Sequence, residues 1–583
     1  MEEIAIRSGG AAGDGIASIG ETLSKCLSRM GLHVFGFNAY QSVIRGGHVW
    51  FQARAAKERV YSQGDGCDIL YALNKETAQI HLPSLRRGGV LVYDPENFTV
   101  ADSELPVGTR ALSVPTLSVA RKFTSQPILQ NAAGLGAVSF LAGIPLEVIQ
   151  RTIADSFGTK KGDVVDWNVN GAGEGYRYAQ QHGAPVGSAV APAGPPKYLM
   201  AGNQAIALGA AAAGCKFLSQ YPMTPASSIM HWMAAHSHQV GVVVKQAEDE
   251  LAAINMAIGA SFGGVRSMTA TSGGGFSLMV EALGMAGMAE IPLVVVESQR
   301  SGPSTGLPTK TEQGDLNLML GAGQGEFPRA ILAPTHPVDA FRATVRAFEL
   351  AEAWQTPILV ASDLHLSESY ATVDPGELDF NVDIPSLYTV EPNGGEYLRY
   401  RYTPSGVSPR SFPGQPGLNY VSGSDEHDEK GHLISDVKAG VPIWVAERTK
   451  MMSKRMRKLE GLAQATEPPK LLGPPSAELS FVAWGSTVGA VRDAMALLAA
   501  RGVATNLIHL PTVYPIHAAE LGRLLGSAKR TLLVEANFSG QLGRLIRAET
   551  GIHLTERLLK FDGEPFYPME IVGRATEVLS HGR

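Results

Sequence analysis

The sequence is poor in cysteine, in surplus positive charge and in long apolar runs. Three cysteines in 583 residues, Cys26, Cys67 and Cys215, lie far apart with no CxxC pair. This chain alone therefore offers no ligand set for a structural zinc or an iron–sulfur cluster, and free thiols suit a reducing compartment. A net charge of −6 argues against binding nucleic acid or an anionic membrane through general electrostatics. The most apolar run, 205-AIALGAAAAG-214, is too short to span a bilayer and is flanked by Asn203, Gln204 and Lys216. The acidic start, MEEIAIRSGG, leads straight into a strand-like segment, so no signal peptide is expected and the protein is placed in the cytoplasm.

What is present is an ordinary globular composition, 44% hydrophobic and 18% charged, long enough for about three to five domains. Residues 4–31 read as strand, glycine-rich turn and amphipathic helix, opening an α/β module that runs to about residue 180. Residues 181–197 are a Pro/Ala/Gly linker. The apolar runs 241-GVVVKQ-246, 265-VRSMTATS-272, 291-IPLVVVES-298 and 357-PILVASD-363 read as buried parallel strands of a second module, 198–370. Residues 371–465 read as an irregular connection, and the basic stretch 449-TKMMSKRMRKLEGL-462 as a helix whose charges face solvent. A third module, 466–583, opens with 479-LSFVAWGSTVGAV-491, a strand entering a long helix. The fold class is thus α/β, with three doubly wound domains.

Several motifs carry chemistry. GDG followed by Asn about two dozen residues later resembles the element that holds thiamine diphosphate through Mg²⁺. The window 40-YQSV-43 after Gly13-Asp14-Gly15 and the window 91-LVYD-94 after Gly64-Asp65-Gly66 hold no Asn, so neither triplet is read as a diphosphate site; the first is a phosphate-facing loop or a plain tight turn. His231, His236 and His238 do not share a helical face, and no metal site is expected on this chain. In 245-KQAEDELAAINMAIGASFGG-264, a helix from about Ala247 puts Glu250 on one stripe with Ile254, Ala257 and Ile258. A desolvated carboxyl there would have a raised pKa; a helix-N-terminal acidic residue is the plainer alternative. After the strand ending at Glu297 comes 300-RSGPSTGLPTKTEQGD-315, where Arg300 and the hydroxyl-rich loop through Thr309 suit an anion, unless Arg300 is simply a surface residue. In 221-YPMTPASSIM-230, Pro225 suits a first helical turn, with Thr224 as the capping residue before it.

Together these segments, with 202-GNQAIALGAAAAG-214, 269-TATSGGGFSLM-279, 406-GVSPRSFPG-414, 535-EANFSGQLGRL-545 and 40-YQSVIRGGH-48, resemble the 2-oxoacid:ferredoxin oxidoreductases. The likeness is to an α subunit with a fused N-terminal γ domain, of the 2-oxoglutarate type, and covers nearly the whole chain. It implies a γ domain (1–180), a thiamine-pyrimidine-binding domain (198–370) and a transketolase C-terminal-like domain (466–583). Glu250 matches the glutamate that hydrogen-bonds the aminopyrimidine ring. Thr224, Arg300 and Thr309 match substrate-carboxylate positions, and Gly13, Arg45 and Asn131 resemble coenzyme A contacts. Met223 stands where the family usually has isoleucine, and Val43-Ile44 replace a more usual polar pair before Arg45. Thiamine diphosphate would be shared with a β subunit carrying Mg²⁺ and a [4Fe–4S] cluster, in an (αβ)₂ heterotetramer that reduces ferredoxin and acylates coenzyme A. A pyruvate or broad-specificity enzyme, a non-redox transketolase-like half, and a non-catalytic nucleotide-binding scaffold are the alternatives.

Overall fold

The computed structural model describes residues 3–42, 46–157, 163–384, 395–434 and 441–580, which form two compact units. The first holds residues 1–201, 368–377 and 567–569. Its eight-stranded sheet runs Arg110–Ser113, Leu85–Tyr93, Cys67–Ala72, Glu3–Ala11, His48–Ala56, His33–Ala39, Tyr370–Val373 and Tyr198–Ala201. The first four strands are parallel and the remaining pairings antiparallel, so the doubly wound pattern covers half of this sheet.

The boundaries at 198 and 370 move accordingly. Strand Tyr198–Ala201, expected to open the second module, pairs with Tyr370–Val373 inside the first sheet. Side chains fix this placement: the Thr372 hydroxyl accepts from Val34 N at 2.9 Å, and Arg59 pairs with Asp374 (2.9 Å) and Glu377 (2.7 Å).

The second unit contains two sheets. One runs Thr512–Tyr514, Ala330–Leu332, Pro357–Asp363, Leu293–Gln299, Ser267–Thr271, Phe217–Gln220 and Val243–Gln246, parallel except at the Thr512–Tyr514 edge. The other runs Lys470–Leu472, Thr505–His509, Leu479–Ala483, Thr531–Glu535 and Arg557–Leu559, with only Lys470–Leu472 antiparallel. The central parallel strands, such as Leu293–Gln299, Pro357–Asp363 and Leu479–Ala483, are buried along their whole length because helices cover both faces. One hydrophobic cluster joins the two sheets, from Leu293 and Val295 to Trp484, Ile508 and Leu533. Among the described residues no helix is long and apolar enough to cross a membrane.

Residues 378–384 and 395–434 of the connection are irregular, and helices Val441–Met456 and Lys458–Ala465 follow. The solvent-facing reading of its charges is overturned for three residues: Lys454, Arg455 and Lys458 are buried. Lys458 Nζ lies 2.6 Å from the buried Glu290 carboxylate, Lys454 binds the other Glu290 oxygen, and Arg399 donates to Glu290 O at 2.8 Å. Arg455 makes a two-pronged pair with Glu426 at 2.8 and 2.7 Å. The cations hold Glu290 well below the usual carboxylate range despite its burial. Helical periodicity placed these charges on a helix, but only their distant partners draw them inward.

Glu290→Ala leaves two buried ammonium groups without a counterion and is expected to cost about 3–5 kcal/mol. Chemical denaturation should show this loss, with part of it recovered in Glu290→Leu/Lys458→Met, which removes a charge of each sign.

Candidate active site

Asp249 caps the helix Glu250–Phe262, its carboxylate accepting from Ala252 N at 2.7 Å. The helix therefore begins three residues later than the periodicity suggests, because Asp249 competes for the free amides at its start. Glu250 becomes the first helical residue, 3% exposed, on a buried stripe with Ile254, Ala257 and Ile258, while Glu248 is exposed. Among the described residues its Oε1 meets no hydrogen-bond partner. Burial raises the Glu250 pKa, and the neighbouring Asp249 charge raises it further.

The first turn of helix Gly273–Met288 presses on this carboxyl. A Cβ on Gly275 would lie 2.4 Å from Glu250 Oε1 and 2.1 Å from Thr271 Oγ1, so no side chain fits. Gly273, one step earlier, packs against Asp315: a Cβ there would lie 2.3 Å from Asp315 Oδ2.

Thr224 does not cap the following helix, which corrects the sequence reading. The Thr224–Pro225 peptide is cis, the chain turns through residues 224–226, and the helix starts at Ser227 with no side-chain cap. Asn203 fixes this elbow, donating to Pro225 O at 2.7 Å, and Gln220 donates to Ala226 O at 2.9 Å. Arg300 Nη1 donates to Thr224 O at 2.8 Å, joining the elbow to the loop after strand Leu293–Gln299.

Between them opens a cavity of about 530 Å³ whose walls include Met223, Gly273, Arg300, Ser304, Thr305 and Asp315. The wall thus carries a guanidinium, hydroxyls and a helix N-terminus, groups suited to an anion. Thr309 is half-buried in the same loop but outside this wall. The loop's far end is anchored on the third module: Gln313 N donates to Ala536 O at 2.6 Å, and Asn537 Nδ2 to Gln313 O at 2.9 Å.

In the first unit, Asn131 Nδ2 donates to Asp14 O at 2.7 Å, and the Asp14 carboxylate accepts from Ala11 N at 2.8 Å. Gly13 (φ 101°) and Gly15 (φ 80°) take backbone conformations that other residues avoid. Gly13 and Asn131 are therefore brought together at one glycine-rich turn, while Arg45 lies outside the described residues. All three thiols are buried, and burial pushes Cys26 and Cys215 up to about 12, which keeps them protonated and inert. Among the described residues no group of three or more His, Cys, Asp or Glu side chains is placed to hold a metal ion.

Known proteins agree with this layout. Residues 208–442 match the family model described as pyruvate flavodoxin/ferredoxin oxidoreductase, thiamine diphosphate-binding, and residues 5–178 that of pyruvate ferredoxin/flavodoxin oxidoreductase. The α subunit of 2-oxoacid:ferredoxin oxidoreductase 2 from Aeropyrum pernix is 30% identical over all of this chain and 98% of its own length. The chain belongs to the 2-oxoacid:ferredoxin oxidoreductase α-subunit family.

Further similarity extends to the KorA subunit of the Mycobacterium tuberculosis 2-oxoglutarate oxidoreductase, 30% identical over all of this chain and 92% of that one. The 2-oxoglutarate:ferredoxin oxidoreductase of Magnetococcus marinus, solved with 2-oxoglutarate, coenzyme A and succinyl-CoA bound, superposes with a TM-score of 0.92 at 34% identity, covering 99% of this chain and all of that one. The chain is thus the α subunit of a thiamine-diphosphate-dependent oxidoreductase acting on 2-oxoacids. Asp315 and Glu297 have no role in the sequence reading. The only hint of them is that acidic residues end an otherwise apolar strand and its following loop.

Gly275→Ala is expected to destabilise the protein by about 1–3 kcal/mol through overpacking against Glu250 and Thr271. Gly274→Ala, whose added methyl meets only Ser304 O at 4.0 Å, should instead be neutral or stabilising. Equilibrium unfolding of the two variants should give opposite signs.

Proposed function

We propose that this α subunit works with a β subunit to interconvert 2-oxoglutarate and coenzyme A with succinyl-CoA, CO₂ and reduced ferredoxin. The observation that carries the reading is the Glu250 carboxyl, buried, lacking a partner at Oε1, and separated by one helical turn from the Arg300 cavity. An orphaned carboxyl with a raised pKa fits the task of bonding a heterocyclic nitrogen, so Glu250 would hold the aminopyrimidine of thiamine diphosphate. When bound, the cofactor supplies stabilisation of negative charge at the substrate's former carbonyl carbon.

This chain's residues do the rest by positioning. Arg300, held by Thr224 O, presents its guanidinium to a substrate carboxylate, with Thr224 and Thr309 as hydroxyl partners. Met223 and the glycine turn exclude water from one side of that cavity. Coenzyme A would be met by the turn at Gly13 and Asn131, with Arg45. The diphosphate, Mg²⁺ and a [4Fe–4S] cluster belong to the β subunit in an (αβ)₂ heterotetramer, since this sequence has no GDG-to-Asn element and its three cysteines are scattered. The 2-oxoglutarate preference is supported by the bound ligands of the Magnetococcus marinus relative and by the Mycobacterium tuberculosis name.

Reduction of methyl viologen by the co-purified complex should require both 2-oxoglutarate and coenzyme A, and the α chain alone should be inactive. A higher kcat/KM with pyruvate than with 2-oxoglutarate would overturn the substrate assignment. Glu250→Gln should lower kcat by about 10²–10⁴-fold. The same change should stabilise the protein at neutral pH. A folded-state pKa above the unfolded one means that stability is lost as pH rises through it, and glutamine escapes this cost. The stability gap should close as pH falls below the ordinary glutamate range.

A further inference from the structure

Behind the Arg300 cavity, acidic groups converge at the ends of two strands. Glu297, in strand Leu293–Gln299, is fully buried, and no N–H or O–H donor among the described residues reaches either carboxylate oxygen. Asp315, which lines the cavity with Arg300, is the neighbouring carboxyl that acts on Glu297 through its charge and side-chain proximity. Asp363, on the adjacent strand, is also buried, but its carboxylate accepts from Leu366 N at 3.0 Å. Asp315 is fixed from two directions: its N–H donates to Gln299 Oε1 at 3.0 Å, and its carboxylate packs against Gly273.

Two neighbouring carboxyl groups repel unless a proton lies between them. Burial pushes the Glu297 pKa well above the usual range, with the Asp315 and Asp363 charges adding to it. Burial raises Asp315 as well, but the Glu297 side chain and the Arg300 charge oppose the rise. The proton therefore resides on Glu297, the drier partner, and Asp315 turns its charge toward Arg300. The charged groups facing the pair are Arg300, Glu312 and Asp363.

We propose that Glu297 and Asp315 share one proton and form a substrate-positioning pair, Glu297–H donating to Asp315⁻, which steadies the Arg300 guanidinium that meets the substrate carboxylate. With one proton the pair carries a single negative charge, balanced by Arg300. Losing it would add a second negative charge next to the incoming carboxylate. The inference rests on Arg300 recognising the substrate, but its proton can be observed without turnover.

Infrared difference spectra of the co-purified complex, wild type against Glu297→Gln, should show loss of a protonated-carboxyl C=O band. Asp315→Asn should shift that band, because its acceptor changes from carboxylate to amide. In steady-state kinetics, KM for the 2-oxoacid should rise by up to about tenfold per pH unit above the pair's pKa, and Glu297→Gln, neutral at every pH, should flatten that rise. Superimposable spectra for wild type and Glu297→Gln, or an alkaline KM limb unchanged by the substitution, would overturn the proposal. A complex that shows the infrared band but turns over no 2-oxoacid would refute the functional reading and leave the proton pair standing.

Discussion

Where helix Gly273–Met288 begins, three successive glycines bring backbone into contact with two carboxyl groups, Glu250 against Gly275 and Asp315 against Gly273. The close approach is possible only because no Cβ stands in the way. It dries Glu250 on one side and fixes the acid beside Arg300 on the other. Leaving a buried polar atom without a partner costs about 1–3 kcal/mol.

The Arg300 loop depends on the third module for its shape. Gln313 exchanges hydrogen bonds with Ala536 through both backbone and side chain, and its amide also donates to Trp484 O at 2.9 Å. Glu535, buried beneath, accepts from Asn537, Trp484 and Leu542 N. The third module, with no group in the cavity wall, thus contributes by holding the loop that carries Arg300 and Asp315, since positioning is lost if its anchor moves.

The buried charges around Glu290 do similar work at a distance from the cavity. Two lysines from helices Val441–Met456 and Lys458–Ala465, and Arg399 from the irregular connection, converge on one carboxylate and one carbonyl just past the C-terminal end of helix Gly273–Met288. That helix is therefore fixed at both ends, by carboxyl contacts at its start and by ion pairing just past its finish.

The sequence by itself determined what is local and periodic. The parallel strands are legible as apolar runs and the Glu250 stripe as a 3.6-residue pattern. The family likeness follows from the order of short motifs. Tertiary structure alone decided what depends on residues far apart in the chain: Tyr198–Ala201 joining the first sheet through Tyr370–Val373, Lys454 and Lys458 turning inward to Glu290, Thr224 giving its carbonyl rather than its hydroxyl to Arg300, and Glu297 meeting Asp315. The physical reason is the same in each case. Periodicity records which face of an element is apolar, whereas the partner that satisfies a charge or a hydrogen bond is selected only when the chain folds back and brings it within about 3 Å.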